Sequence, residues 1–177
     1  MKKVLVPIAN GSEEIESVCI IDTLRRAGAD VTVASVEATR EVTCSRSVRI
    51  LADALITDCL GNVYDLVALP GGMPGAERLR DSDQLKELLT QQKQSGRLYA
   101  AVCASPDDKQ ATCYPAQKFV DALKQKDNLE QRVVVDGNCV TSRGPGTALE
   151  FALQLVEQLY GAAKAQEIQK AMLVPSY

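Results

Sequence analysis

The stretch "KVLVPIANGSEEIESVCIIDTLRRAGADVTVASV" (residues 3–36) decides the fold class. Its first seven residues are a short apolar run rich in β-branched side chains, and "DVTVASV" (30–36) repeats that character. Between them "EEIESVCIIDTLRRAG" (13–28) reads as a helix that opens on acids, with Ser12 as its N-cap, and closes on a glycine. Apolar runs bounded by turn residues suit strands covered on both faces, and a strand–helix–strand unit places the two strands parallel in one sheet.

The same alternation continues outward. "YDLVALP" (64–70) and "RLYAAV" (97–102) read as further strands, and "AERLRDSDQLKELLTQQKQSG" (76–96) as helix interrupted near Asp81. "QRVVVDGNCVTS" (131–142) reads as a hairpin about Asp136-Gly137, and "GTALEFALQLVEQLYG" (146–161) as an amphipathic helix with Phe151, Leu155 and Leu159 in one row. "VTCSRSVRI" (42–50) suits an edge hairpin or a pair of short strands, and "KQATCYP" (109–115) a short strand. The whole predicts an α/β fold, a mostly parallel doubly wound sheet with helices on both faces. With 177 residues and no linker or composition shift, one domain over 1–177 is expected.

Composition narrows the function. The net charge is −3, with no block of basic residues, which argues against nucleic acid as a partner. No apolar run approaches the roughly 18 residues of a membrane span, so no membrane partner and a cytoplasmic location are expected. The six cysteines lack CxxC spacing and read as reduced thiols. There is no histidine, so a Cys-His pair, a Ser-His-Asp triad or a His-ligated metal cannot come from one chain, and neither metal nor cofactor is expected.

In an open parallel sheet, ligands sit beyond the C-terminal ends of the strands. Four segments should meet there: "NGSEEIE", "PGGMPG", "CASP" and "SRGPG". Cys103 ends an apolar strand and precedes two small residues, a strand-to-turn step able to aim a side chain into a crevice. Its proton partner must be a carboxylate, a tyrosine, a lysine or water. Of the acids that open the first helix, Glu13 and Glu14 suit the helix dipole and are expected to face water, whereas Glu16 is flanked by apolar residues and is placed to turn inward. Gly71 and Gly72 leave their backbone N–H groups free to approach a carbonyl or an anion.

Taken in order, "GSEEIE", "ADVTVASV", "TCSRSVRILAD", "YDLVALPGGMPGAERL", "AAVCASP", "KQATCYP" and "VTSRGPGTALEFALQLVE" resemble the ThiJ/PfpI family, and within it the parkinsonism-associated protein deglycase subgroup. The resemblance implies a flavodoxin-like sandwich and a homodimer, to which Ile20, Leu24 and Arg25 of the first helix are expected to contribute. It implies Cys103 as nucleophile and redox-sensitive thiol, Glu16 as its carboxyl partner, and the N–H groups of Gly72 and Ala104 as an anion hole. Arg46 is implied near the dimer interface and pocket, and Arg143 and Pro145 near the substrate. The implied activity is a cofactor-independent glyoxalase or deglycase, a lyase or hydrolase, converting small 2-oxoaldehydes such as methylglyoxal to hydroxy acids or repairing glycated side chains. The alternative is a redox-sensing chaperone in which Cys103 is oxidised to the sulfinate.

One feature departs from the family pattern. Relatives place a helix between "CASP" and the following strand, but only seven residues separate Cys103 from Ala111 here. A parallel crossover needs about a dozen. Either the helix is deleted or residues that belong there are missing from the sequence. Deletion would remove a helix N-terminus that supports the thiolate and leave Asp107 and Asp108 opposing its charge, which would compromise activity.

Overall fold

In the computed structural model, which describes residues 1–103 and 109–175, the first three elements are strand β1 (Lys3–Ile8), helix α1 (Glu14–Arg26) and strand β2 (Asp30–Ser35). β1 and β2 run parallel and in step, from Lys3 opposite Asp30 to Ile8 opposite Ser35. A ribbon of β3 (Glu41–Thr43) and β4 (Arg49–Leu51) follows, then β5 (Ala54–Leu55), a 3-10 turn (Ile56–Cys59) and β6 (Leu66–Leu69). Helices α2 (Gly75–Asp81) and α3 (Asp83–Gln94) lead to β7 (Leu98–Val102). After Cys103 come α4 (Gln117–Ala122), β8 (Val133–Asp136), β9 (Cys139–Ser142), a 3-10 turn (Pro145–Thr147), α5 (Ala148–Tyr160) and α6 (Ala162–Ala171).

The sheet order is β5-β2-β1-β6-β7-β9-β8, parallel throughout except for β8, which pairs antiparallel with β9. This is the flavodoxin-like α/β arrangement expected. Alternation along β1 divides the core: Val4, Val6 and Ile8 pack with Ile20 and Leu24 of α1 and Phe151 and Leu155 of α5, while Leu5 packs on the other face with Val67, Leu79, Leu85 and Leu88. Both faces are therefore covered by helices, which is why the strands are apolar on both sides. β1, β6, β7 and β9 all end at one sheet edge, where the β1–α1 loop, the β6–α2 loop, Cys103 and Gly144 come together.

The α2–α3 break falls at Ser82, whose Oγ accepts from Leu85 N at 3.3 Å and caps the second helix. The 42–50 stretch forms a two-stranded ribbon outside the main sheet, turning at Ser47 with φ 68°.

Four expectations need correction. The segment 109–115 is not a strand. Both edges of β7 are occupied by β6 and β9, so the segment is held piecemeal, with Thr112 N donating to Thr141 Oγ1 at 3.0 Å and Tyr114 N to Cys103 O at 3.2 Å. The N-cap of α1 is Glu13, whose carboxylate accepts from Glu16 N at 2.8 Å, while Ser12 Oγ accepts from Ala9 N and tightens the preceding turn. Ile20 and Leu24 are fully buried in the core, so the outward apolar residues of α1 are instead Ile15 and Val18. Glu14 is buried too, as described below. Helices α4 and α6 have no counterpart in the sequence reading. Among the described residues no helix is long and apolar enough to cross a membrane.

Candidate active site

The β1–α1 and β6–α2 loops are stitched together by two reciprocal bonds. Glu13 N donates to Gly71 O at 2.8 Å, and Gly71 N donates to Glu16 Oε2 at 2.6 Å. No side chain fits at either glycine of the second loop. A Cβ on Gly71 would collide with the Cys103 Cβ and stand 2.9 Å from its Sγ, and Gly72 adopts φ +93°, where an added Cβ would collide with Glu13 N. The "PGG" turn therefore exists so that two backbones and a thiol can approach one another.

Cys103 sits at the end of β7 with φ 70°, the left-handed region that a cysteine rarely adopts. Its backbone is clamped on both sides, the N–H donating to Ser142 O at 3.1 Å and the carbonyl accepting from Tyr114 N at 3.2 Å. Strain of this kind persists where the surroundings over-determine the conformation. The result is a thiol aimed at Glu16, with Sγ 3.0 Å from Oε1.

Glu16 is fully buried. Burial pushes its carboxyl up to about 7, against the hydrogen bonds from Cys103 and Gly71 N–H that favour the charged form. Burial also raises the Cys103 thiol, as do the charge and hydrogen bond of Glu16, while the Gly72 N–H aimed at the sulfur lowers it. Two acids in contact in a dry pocket do not both ionise, so near neutrality the pair carries at most one negative charge, shared across the contact. With the proton on Glu16, its O–H and the Gly72 N–H both face the thiolate.

Of the other residues expected here, Arg143 and Pro145 lie beside the thiol's crevice. Arg143 Nη1 donates to Glu130 Oε2 at 3.2 Å, and both residues line a groove of about 220 Å³. Ala104 lies outside the described residues. Arg46 is not brought to Cys103 within one protomer: its backbone N–H donates to Glu14 Oε1 at 2.7 Å and its guanidinium folds back to Ser45 O at 3.2 Å. Glu14, expected to face water, accepts from Ser45 Oγ at 2.7 Å as well and fastens the β3–β4 ribbon to α1. Burial raises its carboxyl, but the hydrogen bonds from Ser45 and the backbone outweigh it and hold the group below the ordinary value.

Two residues were missed. Gly144 faces the thiol, since a Cβ there would stand 3.8 Å from Sγ and 3.3 Å from the Tyr114 ring. Tyr114, half-exposed, covers Gly144 beside Cys103. The lack of histidine had left tyrosine among the eligible partners, but Tyr114 could be placed only once its segment was seen to cross the end of β7. Residues 109–116 contain no helix, so the first described helix after Cys103 is α4.

The arrangement can do nucleophilic chemistry with a carboxyl as the proton carrier. Comparison with known proteins agrees in kind. The sequence pattern of the DJ-1/PfpI family matches residues 2–158. Protein DJ-1 homolog B of Arabidopsis thaliana is 47% identical over 182 positions, covering 97% of this chain but 41% of the relative, so the chain spans less than half that protein's length. Glutathione-independent glyoxalase DJR-1.2 of Caenorhabditis elegans is 35% identical, covering 91% of this chain and 90% of its own. The structure of oxidized Toxoplasma gondii DJ-1 superposes with a TM-score of 0.93 at 49% identity, over 100% of both chains. The Arabidopsis alignment is longer than the 177 residues available here, so that relative carries residues this chain lacks. With the buried cysteine–carboxyl pair and these matches in agreement, the chain belongs to the DJ-1/PfpI family.

Proposed function

We propose that this protein is a cofactor-independent glyoxalase or deglycase acting on small 2-oxoaldehydes or their early adducts on side chains. The observation that carries the reading is the buried 3.0 Å contact between Cys103 Sγ and Glu16 Oε1 at the ends of the parallel strands. The name of the Caenorhabditis elegans relative supports the same reaction class.

In this mechanism the thiolate adds to the aldehyde carbon, an S–C bond forms, and the oxygen takes the proton to give a hemithioacetal. Glu16, then ionised, removes the hydrogen on that carbon as a proton and returns it to the neighbouring carbonyl carbon, while the hemithioacetal hydroxyl proton passes to the neighbouring oxygen. The first carbon is oxidised and the second reduced, so no external redox partner is needed. Water cleaves the resulting thioester, releasing the 2-hydroxy acid and restoring the thiol. A carboxyl with a pKa near 7 serves both directions of proton transfer at neutral pH. The Gly72 N–H is the donor for developing negative charge, with Ala104 N–H proposed as the second.

The proposed assembly is a homodimer through the outer face of α1 and the ribbon, where Ile15 (53% exposed), Val18 (50%) and Leu51 (70%) leave apolar surface uncovered. In it, Arg46 on the ribbon turn is proposed to border the pocket.

A second reading uses the same contact. A sulfinate on Cys103 would be held by a protonated Glu16 and the Gly72 N–H, making the protein a redox-responsive chaperone. The deciding experiment follows lactate formed from methylglyoxal by the wild type and by Cys103→Ser. Turnover lost in the variant supports the enzyme. Absence of turnover in the wild type, with aggregation suppression that depends on prior oxidation, overturns it in favour of the chaperone.

A further inference from the structure

A groove lies beside the thiol's neighbour Gly144, and its lining says more about the substrate than the thiol does. It is walled by Tyr114, Arg132, Arg143, Gly144, Pro145 and Thr147 and holds about 220 Å³, far more than a three-carbon aldehyde fills. Gly144 ties it to the thiol, since a Cβ built there would stand 3.8 Å from Sγ and 3.3 Å from the Tyr114 ring. The two guanidinium groups differ in commitment. Arg132 is spent on Glu150, with Nε 2.7 and 2.9 Å from the two carboxylate oxygens, and on Gly146 O at 2.8 Å. Glu150 is itself well covered, so that pair is neutral and fixed.

Arg143 is the reverse case. Its side chain is only 23% exposed, held in the groove wall, but the single carboxylate it meets among the described residues, Glu130, is 91% exposed. An ion pair with so solvated a partner contributes little and is readily exchanged. The guanidinium also acts on the Cys113 thiol, which burial raises and Arg143 lowers. The groove thus holds an exchangeable cation, Arg143, next in the chain to the glycine that faces the thiol.

Resting on the glyoxalase reading, we propose that the groove selects carbonyl substrates that carry an anionic group, carboxylate or phosphate, several atoms from the reacting aldehyde, with the chain lying over Gly144 against Tyr114 and the anion displacing Glu130 from Arg143. A planar guanidinium favours such a group through paired charge-assisted hydrogen bonds.

Two probe pairs test this on the full chain. The first compares kcat/KM for 4,5-dioxopentanoate and for its uncharged methyl ester. The second needs no turnover: the rates at which N-iodoacetylglycine and N-iodoacetylglycinamide alkylate Cys103, where an S–C bond replaces C–I and iodide leaves, each divided by its rate with free cysteine. The wild type should favour the anionic member of each pair about tenfold or more, and Arg143→Gln should bring both ratios within about twofold of one. Gly144→Ala should slow both members of each pair by crowding the approach. An alkylation preference without turnover of either dioxo compound overturns the glyoxalase reading and leaves the groove assignment standing. Turnover of both dioxo compounds with no preference in either pair overturns the groove assignment and leaves the enzyme reading standing. A preference that survives in Arg143→Gln, or rates unaltered in Gly144→Ala, also overturns it.

Discussion

Glu16 Oε1 and Cys103 Sγ meet at 3.0 Å although 87 residues separate them in the chain. The contact is held from both ends, since Gly71 N fixes the other carboxyl oxygen at 2.6 Å and Ser142 O and Tyr114 N fix the cysteine backbone. A buried carboxyl with no cationic partner in contact among the described residues is costly, and what makes this one tolerable is that it keeps a proton or shares its charge with the sulfur.

Glu16→Gln should lower methylglyoxal turnover about a hundredfold or more, the usual scale for loss of an acid–base group, with the fold intact by circular dichroism. Glu13→Gln is the control, because an amide oxygen can still cap α1. Equal loss in both variants would remove any special role for position 16.

The same variant tests the stability linkage. The folded pKa of Glu16, about 7, lies above its unfolded value of 4.5, so its folded form binds the proton more tightly. The resulting stability is fully present below pH 4.5 and is lost as pH rises towards 7. By pH 8 the ionised carboxylate costs about 3 kcal/mol relative to acid conditions. Glu16→Gln should therefore gain stability over the wild type at pH 8 and lose that advantage at pH 4, read from urea midpoints at the two pH values.

Limited iodoacetamide near neutral pH should modify Cys103 before Cys19, even though Cys19 is the more exposed thiol. Burial and the charges of Glu16 and Glu13 raise both thiols, but Cys103 has in addition the Gly72 N–H lowering it and a carboxyl in contact able to take its proton as it reacts. Peptide mapping over a time course gives the order. Faster labelling of Cys19 would count against Cys103 as nucleophile.

Gly71→Ala should destabilise the protein by about 2 kcal/mol or more, because the added methyl meets the Cys103 Cβ, and backbone and thiol must separate to admit it. Gly96→Ala is the comparison, since nothing stands within 4 Å of its added methyl and its cost is the backbone strain of φ +69°. Gly71→Ala alone should also lose the reactivity of Cys103.

Val18→Lys places a charge on the uncovered apolar face of α1 without touching the core. In the dimer proposed, this should shift light scattering at micromolar concentration from two copies toward one. A wild type that scatters as a monomer would dispose of the interface.

The alternation of β-branched runs with amphipathic helices made the parallel sheet legible, because strands covered on both faces must be apolar on both faces, and this is a property of composition along the chain. Asp136-Gly137 marked its hairpin by local chemistry alone, and the helix break read near Asp81 falls one residue on, at the cap Ser82. Cys103 stood out for the same reason, as a polarizable residue at the end of an apolar run, and Glu16 because its neighbours were apolar. Burial of Glu14 was not legible: its partners Ser45 and Arg46 arrive on a ribbon more than thirty residues away, and an acid in a first helical turn reads as solvated until something folds over it. Nor was the fate of 109–115, whose β-like composition was overruled because the strand it crosses had no free edge. Local sequence determined which elements form and which side chains are chemically capable. Only the packing of four loops at one sheet edge decided which of them touch, since burial, hydrogen-bond partners and the resulting proton affinities are set by neighbours distant in the chain.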